Sequence, residues 1–521
     1  MQTLKEPIAF GAAPEDEIMS IRTGLFALIG VIAGMGFAAS DAARREGVAA
    51  RKTPVWKHSD VIFMYASDEA AYRAYGATFV AWGGAERSEP VKMHHDLGIR
   101  CTGSMWCLTA GAKTLYEDPA LREAVARDIE GKPIEVSWLF DHTYKDMKTY
   151  FGCTNHPAFR AHCETRVREV MSGGADGLHI DDHLGVAQAA TAFGGGLCDS
   201  CIAGFRDYLK QHATPAQLAE AGVKDLDTFD YRDVIRRHAT TRAQYQKVQN
   251  EIPLMDLFRK YHLETAAEFI HRLGKIGAEA AGHPILLSAN APLAEERHRL
   301  VARHLTHVVS ETHFNARQGA ANVADAVKAF DVARNLGLPL AVTAFGWDWS
   351  HIKATDEEEL VRFWIALTYA HGQWFMAPHP KRQWCFNQEL GTHWYPAPVE
   401  AYAPVYRFIR DNARWLDGFE AIDAASIQPP PNTLLTARRK GEDGPLVLHL
   451  LNRDYDPATK HMRPRENLTI ALPASMLKGL PGAVQLLPYG AKAEMSTVRT
   501  ENDIARIQVP TLGLWTLVIV E

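Results

Sequence analysis

Between residues 58 and 418, short apolar runs with β-strand character alternate with stretches of helical periodicity, and this alternation limits the possible folds more than any other feature. Eight strands are expected, at VIFMYA (61–66), ATFVAWG (77–83), GIRCTGSMW (98–106), DGLHID (176–181), PILLSAN (284–290), THVVSE (306–311), PLAVTAFGW (339–347) and GQWFMAP (372–378). Helical stretches such as DEAAYRAYG and VADAVKAFDVARNLG separate most of them. Parallel strands need crossovers of about a helix's length, so this order predicts a parallel sheet flanked by helices. Eight such units predict an α/β fold of the (β/α)8 TIM-barrel type. A doubly wound sheet is the competing topology, but it calls for a Gly-rich phosphate loop after the first strand, and ASDEAAY is not one.

A chain of 521 residues exceeds one ordinary core, so further units are expected. The barrel is assigned to 58–420. It carries long inserts at 107–170 and 186–283, and long loops on one barrel face usually build the cleft. After IQPPPN the texture changes to short strands with turn signals, predicting a C-terminal antiparallel β-sandwich over 421–521. Residues 1–57 form an N-terminal segment containing GLFALIGVIAGMGFAA (24–39), which is short for a spanning helix and suits a signal-peptide core. Arg22 precedes it and Ala38-Ala39-Ser40 offers a cleavage site, whereas Glu15, Asp16 and Glu17 spoil a basic leader unless Met19 is the start. A signal peptide around 19–40 and export to the periplasm or beyond are therefore expected, with a buried helix in a cytoplasmic protein as the alternative.

The formal charge of -6 argues against a nucleic-acid binder, which needs a basic face. No membrane span and no cofactor are called for, and oligomeric state is left open. Seven cysteines include Cys198 and Cys201 in a CxxC, which fits a disulfide or half of a zinc knuckle; no second CxxC completes the latter.

In DGLHIDD, strand alternation sends Leu178 and Ile180 outward to the helices and His179 and Asp181 into the barrel. Asp181 then stands at the carboxyl end of the fourth strand, where barrel active sites are built, and Asp182 and His183 begin the loop. The sixth strand ends at Glu311, and the seventh runs into GWDWS, with Asp348 between Trp347 and Trp349. Carboxylates at several strand ends, interleaved with tryptophans, are what glycosidic-bond hydrolysis requires: one attacks or activates water, another donates a proton. Trp82, Trp106, Trp138, Trp347 and Trp349 are expected to stack on sugar rings. Asn290, His142, His179, His313, Asp182, His183 and Asp348 are expected to bind hydroxyls. The structural alternatives are an ion pair for Asp181, a turn cap for Asp182 and core packing for each tryptophan.

GADGLHIDDH resembles the fourth-strand segment of TIM-barrel glycoside hydrolases of the α-amylase and melibiase types, in which a D-G-hydrophobe-R/H-hydrophobe-D pattern ends at the nucleophile. Here His179 stands where the amylase pattern has arginine. In the melibiase type the acid/base comes from strand six, which matches Glu311 by position, although that type uses aspartate. ALTYAHGQWFMAP and FIRDNARWLDGFE are similar to the closing turn of uncharacterised bacterial glycosidase-like barrels. The resemblance implies a hydrolase of oligo- or polysaccharides with Asp181 as nucleophile or base and Glu311 as general acid/base. Two other readings remain: a metal-dependent hydrolase using His179, Asp181, Asp182 and His183, and a non-catalytic sugar-binding barrel.

Overall fold

The computed structural model describes residues 55–386, 394–477 and 481–521, without the side chains of Trp106 and Cys107. The expected signal peptide therefore lies outside the described residues. Eight parallel strands form the first unit: β1 (Ile62–Tyr65), β2 (Phe79–Gly83), β3 (Arg100–Cys107), β4 (Gly177–Asp181), β5 (Leu286–Ala289), β6 (Val308–Thr312), β7 (Leu340–Ala344) and β8 (Trp374–Phe375). Each of the eight falls within or beside its expected segment. β1 to β5 pair in chain order, as do β6 to β8.

Two parallel bridges join these sheets into a closed barrel, Asn290 with Val309 and Phe63 with Ala377. The Ala377 amide donates to the Ile62 carbonyl at 2.7 Å, sealing the last strand to the first. Closure rules out the doubly wound alternative, which would leave two sheet edges. The apolar runs are long because barrel strands are buried on both faces; β2 and β7 are buried at every residue. At the amino end, Trp56 meets Phe79, His307 and Trp374 at ring-centroid distances of 5.4, 4.7 and 5.1 Å.

The insert between β4 and β5 has its own helical core, built around Phe205, Tyr231, Phe258 and Tyr261. The helix Met255–Ala281 belongs to both cores, since Phe258 packs with the insert and Ile270 and Leu273 with the barrel. No helix of the described residues is long and apolar enough to cross a membrane.

The C-terminal part is β-rich. Eight antiparallel strands between Glu420 and Val520 form one hydrogen-bonded sheet rather than two separately bonded ones. The strand Glu494–Glu501 pairs on one side with Ala483–Pro488 and on the other with Ile504–Leu512. Alternate residues such as Leu448, Leu450, Ile470, Leu472, Ile507 and Val509 close on a single core. The sheet is fastened to the barrel by Thr436, whose hydroxyl donates to the Ala370 carbonyl at 2.7 Å, and a separate two-stranded hairpin of the same part by Tyr455, whose hydroxyl donates to Glu357 at 2.8 Å.

β4 depends on a close backbone approach at its first residue. A Cβ on Gly177 would stand 2.3 Å from the Leu286 carbonyl oxygen and 2.8 Å from its carbon, and the partner strand cannot yield as a side chain would. Gly177→Ala is expected to lower stability by about 1–3 kcal/mol, the usual cost of overpacking. Urea unfolding checks this, and an unchanged midpoint would show that the strands separate without cost.

Candidate active site

Asp181 is the last residue of β4, and its carboxylate is partly accessible from the carboxyl end of the barrel. Its Oδ1 accepts from the Asp182 amide at 2.8 Å and from Asn290 Nδ2 at 2.9 Å. Asp182 has a left-handed backbone (φ 43°) that turns the chain sharply away from the strand. Asn290 directly follows β5, and its Nδ2 also donates to Glu311 Oε2 at 3.5 Å, while the Glu311 amide donates to its Oδ1 at 3.4 Å. One amide thus lies between two carboxylates. Because Asp181 Oδ1 and Glu311 Oε2 share one donor nitrogen, they stand no further apart than the two bonds laid end to end, about 6.4 Å.

Like charges this close in a desolvated cleft cannot both ionise freely. Burial pushes the Glu311 carboxyl up to about 8, the Asp181 charge adds to the rise, and the Asn290 amide opposes it. Glu311 therefore carries its proton at neutral pH, as a proton donor must.

The backbone that carries this amide is itself held in place. His183 Nδ1 bonds the Asn290 backbone carbonyl at 2.7 Å, and the ring is fully buried, 5.2 Å from His298. His183 thus supports Asn290 and is not at the rim to meet a sugar. His179 points into the lumen below Asp181 as the alternation requires, but it is completely buried, bonded through Nδ1 to Ser288 Oγ at 2.9 Å and 4.7 Å from the Trp82 ring. Burial holds both histidines well below the ordinary imidazole range, so they are neutral. Their Nδ1 atoms are taken up along β5, by Ser288 within it and by the Asn290 backbone just past its end, and among the described residues His179, Asp181, Asp182 and His183 do not gather ligand atoms around one point. That removes the basis of the metal-hydrolase reading.

Two of the other expected sugar contacts are corrected. GWDWS is not a strand end: β7 stops at Ala344 and the helix Gly346–Thr355 begins at once, breaking strand alternation. Trp349 is fully buried, its indole N–H donating to Thr343 Oγ1 at 2.8 Å. Asp348 is buried too, and its two oxygens accept from the Phe314 and Ala316 amides at 2.9 and 2.8 Å. It anchors the loop that follows Glu311 instead of binding substrate. Trp138 packs on Phe151 and Phe193 inside the first insert. His142 lies on that insert, half exposed, with Asp141 as an ionic neighbour 4.0 Å away. His313 is partly accessible beside Phe345. The Trp106 side chain lies outside the described residues.

Trp82 and Trp347 instead belong to a series of aromatics, most of whose members the sequence did not single out. Tyr65, at the end of β1, stands 6.3 Å from Trp82 and 6.4 Å from Trp394, which lies 5.7 Å from Trp384. Phe386, two residues on, meets Trp347 at 4.6 Å and Phe140 at 6.4 Å. Trp347 is 51% exposed, Trp394 40% and Phe140 36%, so the series rises from the barrel interior to solvent. Its only sequence signal was the tryptophan density of RQWCF and THWY.

No family model matches the chain. Among curated proteins it is 24% identical over 299 residues to an alpha-agarase of Alteromonas agarilytica, covering 56% of this chain and 20% of that protein. An alpha-agarase of Thalassotalea agarivorans is 24% identical over 283 residues, 53% of this chain and 19% of that one. The match therefore spans about a fifth of these relatives' length. Among solved structures, a cycloisomaltooligosaccharide glucanotransferase of Paenibacillus sp. superposes with a TM-score of 0.55 at 10% identity, over 88% of this chain and 84% of that one, a likeness of fold. The chain is thus a TIM barrel with a C-terminal β-rich unit, similar in fold to that glucanotransferase and, over about half its length, similar in sequence to part of the alpha-agarases.

The raised Glu311 carboxyl has a signature in stability. In the unfolded chain it titrates near the ordinary 4.5, so between there and about 8 the folded state keeps a proton that the unfolded state has lost. This contribution to stability is full below the lower value and falls as pH rises through the upper one. Glu311→Gln removes it. Relative to wild type, the variant should therefore gain stability steadily across that window, read by urea unfolding at successive pH values. A constant difference would contradict the shift.

Proposed function

We propose that the enzyme hydrolyses glycosidic bonds of a polysaccharide with retention of anomeric configuration, with Asp181 as nucleophile and Glu311 as acid/base. The observation that carries this reading is the Asn290 amide shared by the two carboxylates, which limits their nearest described oxygens to about 6.4 Å. Retaining enzymes hold their pair about 5–5.5 Å apart, whereas inverting ones need roughly 6.5–9.5 Å to admit a water. In the first step Asp181 attacks the anomeric carbon while Glu311 gives its proton to the departing oxygen. In the second, Glu311, now ionised, takes a proton from water as the water oxygen bonds to the anomeric carbon and the bond to Asp181 breaks, which releases the sugar and restores both carboxyls. Two bonds to Oδ1 orient the Asp181 carboxylate, and neutral Glu311 removes the repulsion that would otherwise raise its energy.

The aromatic series from Trp82 to Trp347 supports a chain-like substrate, since aromatic faces suit the apolar faces of successive sugar rings. The alpha-agarase relatives make agar the first substrate to try. An exported enzyme would meet such a polymer, which is consistent with the apolar segment at 24–39. On this reading residues 58–420 are the catalytic unit and 421–521 an accessory one.

The test compares wild type, Asp181→Asn and Glu311→Gln on agar oligosaccharides and on aryl glycosides with good leaving groups. Asp181→Asn is expected to lose several orders of magnitude on both. Glu311→Gln is expected to lose about 10²–10⁴-fold on the oligosaccharides, but far less in the first turnover of an aryl glycoside, whose leaving group needs no proton. Equal losses of Glu311→Gln on both substrates, or an active Asp181→Asn, would refute the assignment.

A further inference from the structure

Three buried thiols meet where the first insert touches the second, and the two-carboxylate chemistry makes no use of them. Cys153 follows the short strand Tyr150–Phe151, Cys198 precedes the helix Asp199–His212, and Cys201 lies in its first turn. Cys153 Sγ is 3.2 Å from Cys198 Sγ and 3.5 Å from Cys201 Sγ, and all three sulfurs lie within 4.8 Å of one another. Each is buried and none is in a disulfide. A disulfide would use two of them and strand the third. The edges of a zinc–thiolate tetrahedron with bonds near 2.3 Å are about 3.8 Å, close to the spacing of these sulfurs.

A second observation points to the same ligand. His262, on the long helix Met255–Ala281, is completely buried, and a contact with the Gly196 backbone can account for one ring nitrogen at most. The nitrogen left over is costly to bury without a partner. The ring is an electrostatic neighbour of Cys198. Its Nε2 occupies space that only glycine leaves open, 2.7 Å from where a Cβ on Gly196 would stand, two residues before Cys198. Asn155 Nδ2 donates to Cys201 Sγ at 3.5 Å, the outer-shell bond that a thiolate ligand commonly receives.

We propose that Cys153, Cys198 and Cys201 bind one zinc ion, and that the His262 ring, which in this structure is not yet within 4.8 Å of all three sulfurs, turns to complete a closed tetrahedral site that fastens the two inserts to the helix beside the barrel. Each thiol loses its proton to solvent as its sulfur binds, and no oxidant is required. With four protein ligands no position is left for water, so the ion is structural. Its mechanical link to the active site is short. Tyr150–Phe151, just before Cys153, pairs with Thr109–Ala110, and the adjacent Leu108 amide donates to the Asp181 carbonyl at 3.1 Å. The site stands whether or not the proposed hydrolysis does.

The full chain, produced with zinc in the medium, should contain one zinc per molecule by elemental analysis. X-ray absorption should give three sulfurs near 2.3 Å and one nitrogen at about 2.0–2.1 Å. His262→Ala should weaken zinc binding at least tenfold and His262→Cys should restore it. If a variant fails to fold, the absorption spectrum of the wild type still decides. Folded wild type with less than a tenth of an equivalent of zinc would overturn the proposal. So would a shell of oxygen and nitrogen alone, or a chain lighter by the hydrogens lost to a disulfide among the three cysteines.

Discussion

Two carboxyl groups have to stand a few ångströms apart without repelling each other, and the rest of the site follows from how the fold allows this. The Asn290 amide stands between them and donates to both, while burial keeps Glu311 protonated so that only one negative charge remains. An amide donor stabilises whichever carboxylate is ionised, so it serves equally well if the charge moves from Asp181 to Glu311 during a reaction. The pair comes from β4 and β6 and the amide from the end of β5, so three neighbouring strands build one unit.

That unit is rigid because its supports are buried. His183 holds Asn290 from behind, and Asp348 holds the turn after Glu311 through two backbone amides. Both are polar residues spent on geometry, in places where an unpaired polar group would be expensive. Above this floor the aromatic side chains increase in exposure outward, an arrangement suited to a long ligand laid across the mouth of the barrel.

The barrel itself was legible because a parallel strand buried on both faces leaves a continuous apolar run, and eight such runs were separated by helical stretches. Asp181 and His179 were legible for a related reason: inside an apolar strand, strict alternation tells which side chain enters the lumen. That logic failed after β7, where the strand gives way to a helix without a loop, so Trp349 and Asp348 turned inward to the core and to backbone amides. It also misread His183 and did not foresee the carboxylate partners of Asn290. Their chemistry was recognised, but whether an amide faces a sugar or a carboxylate depends on the neighbouring strand, which sequence alone does not position. Cys153 and His262 escaped notice because long segments of chain separate them from the CxxC they face. The single sheet of the C-terminal part follows from pairings on both sides of one strand, which a pattern of turns cannot reveal.

The central claim is that Asp181 becomes covalently bonded to the sugar during turnover. It is tested most directly by mixing Glu311→Gln with an activated aryl glycoside, quenching in acid and mapping the adduct by peptide mass spectrometry. With the acid/base removed, the second step is slow and the intermediate should accumulate. The account predicts one added glycosyl unit on the peptide containing GLHIDD, carried by Asp181. A glycosyl group on any other residue, or a product of inverted configuration with no adduct, would contradict it.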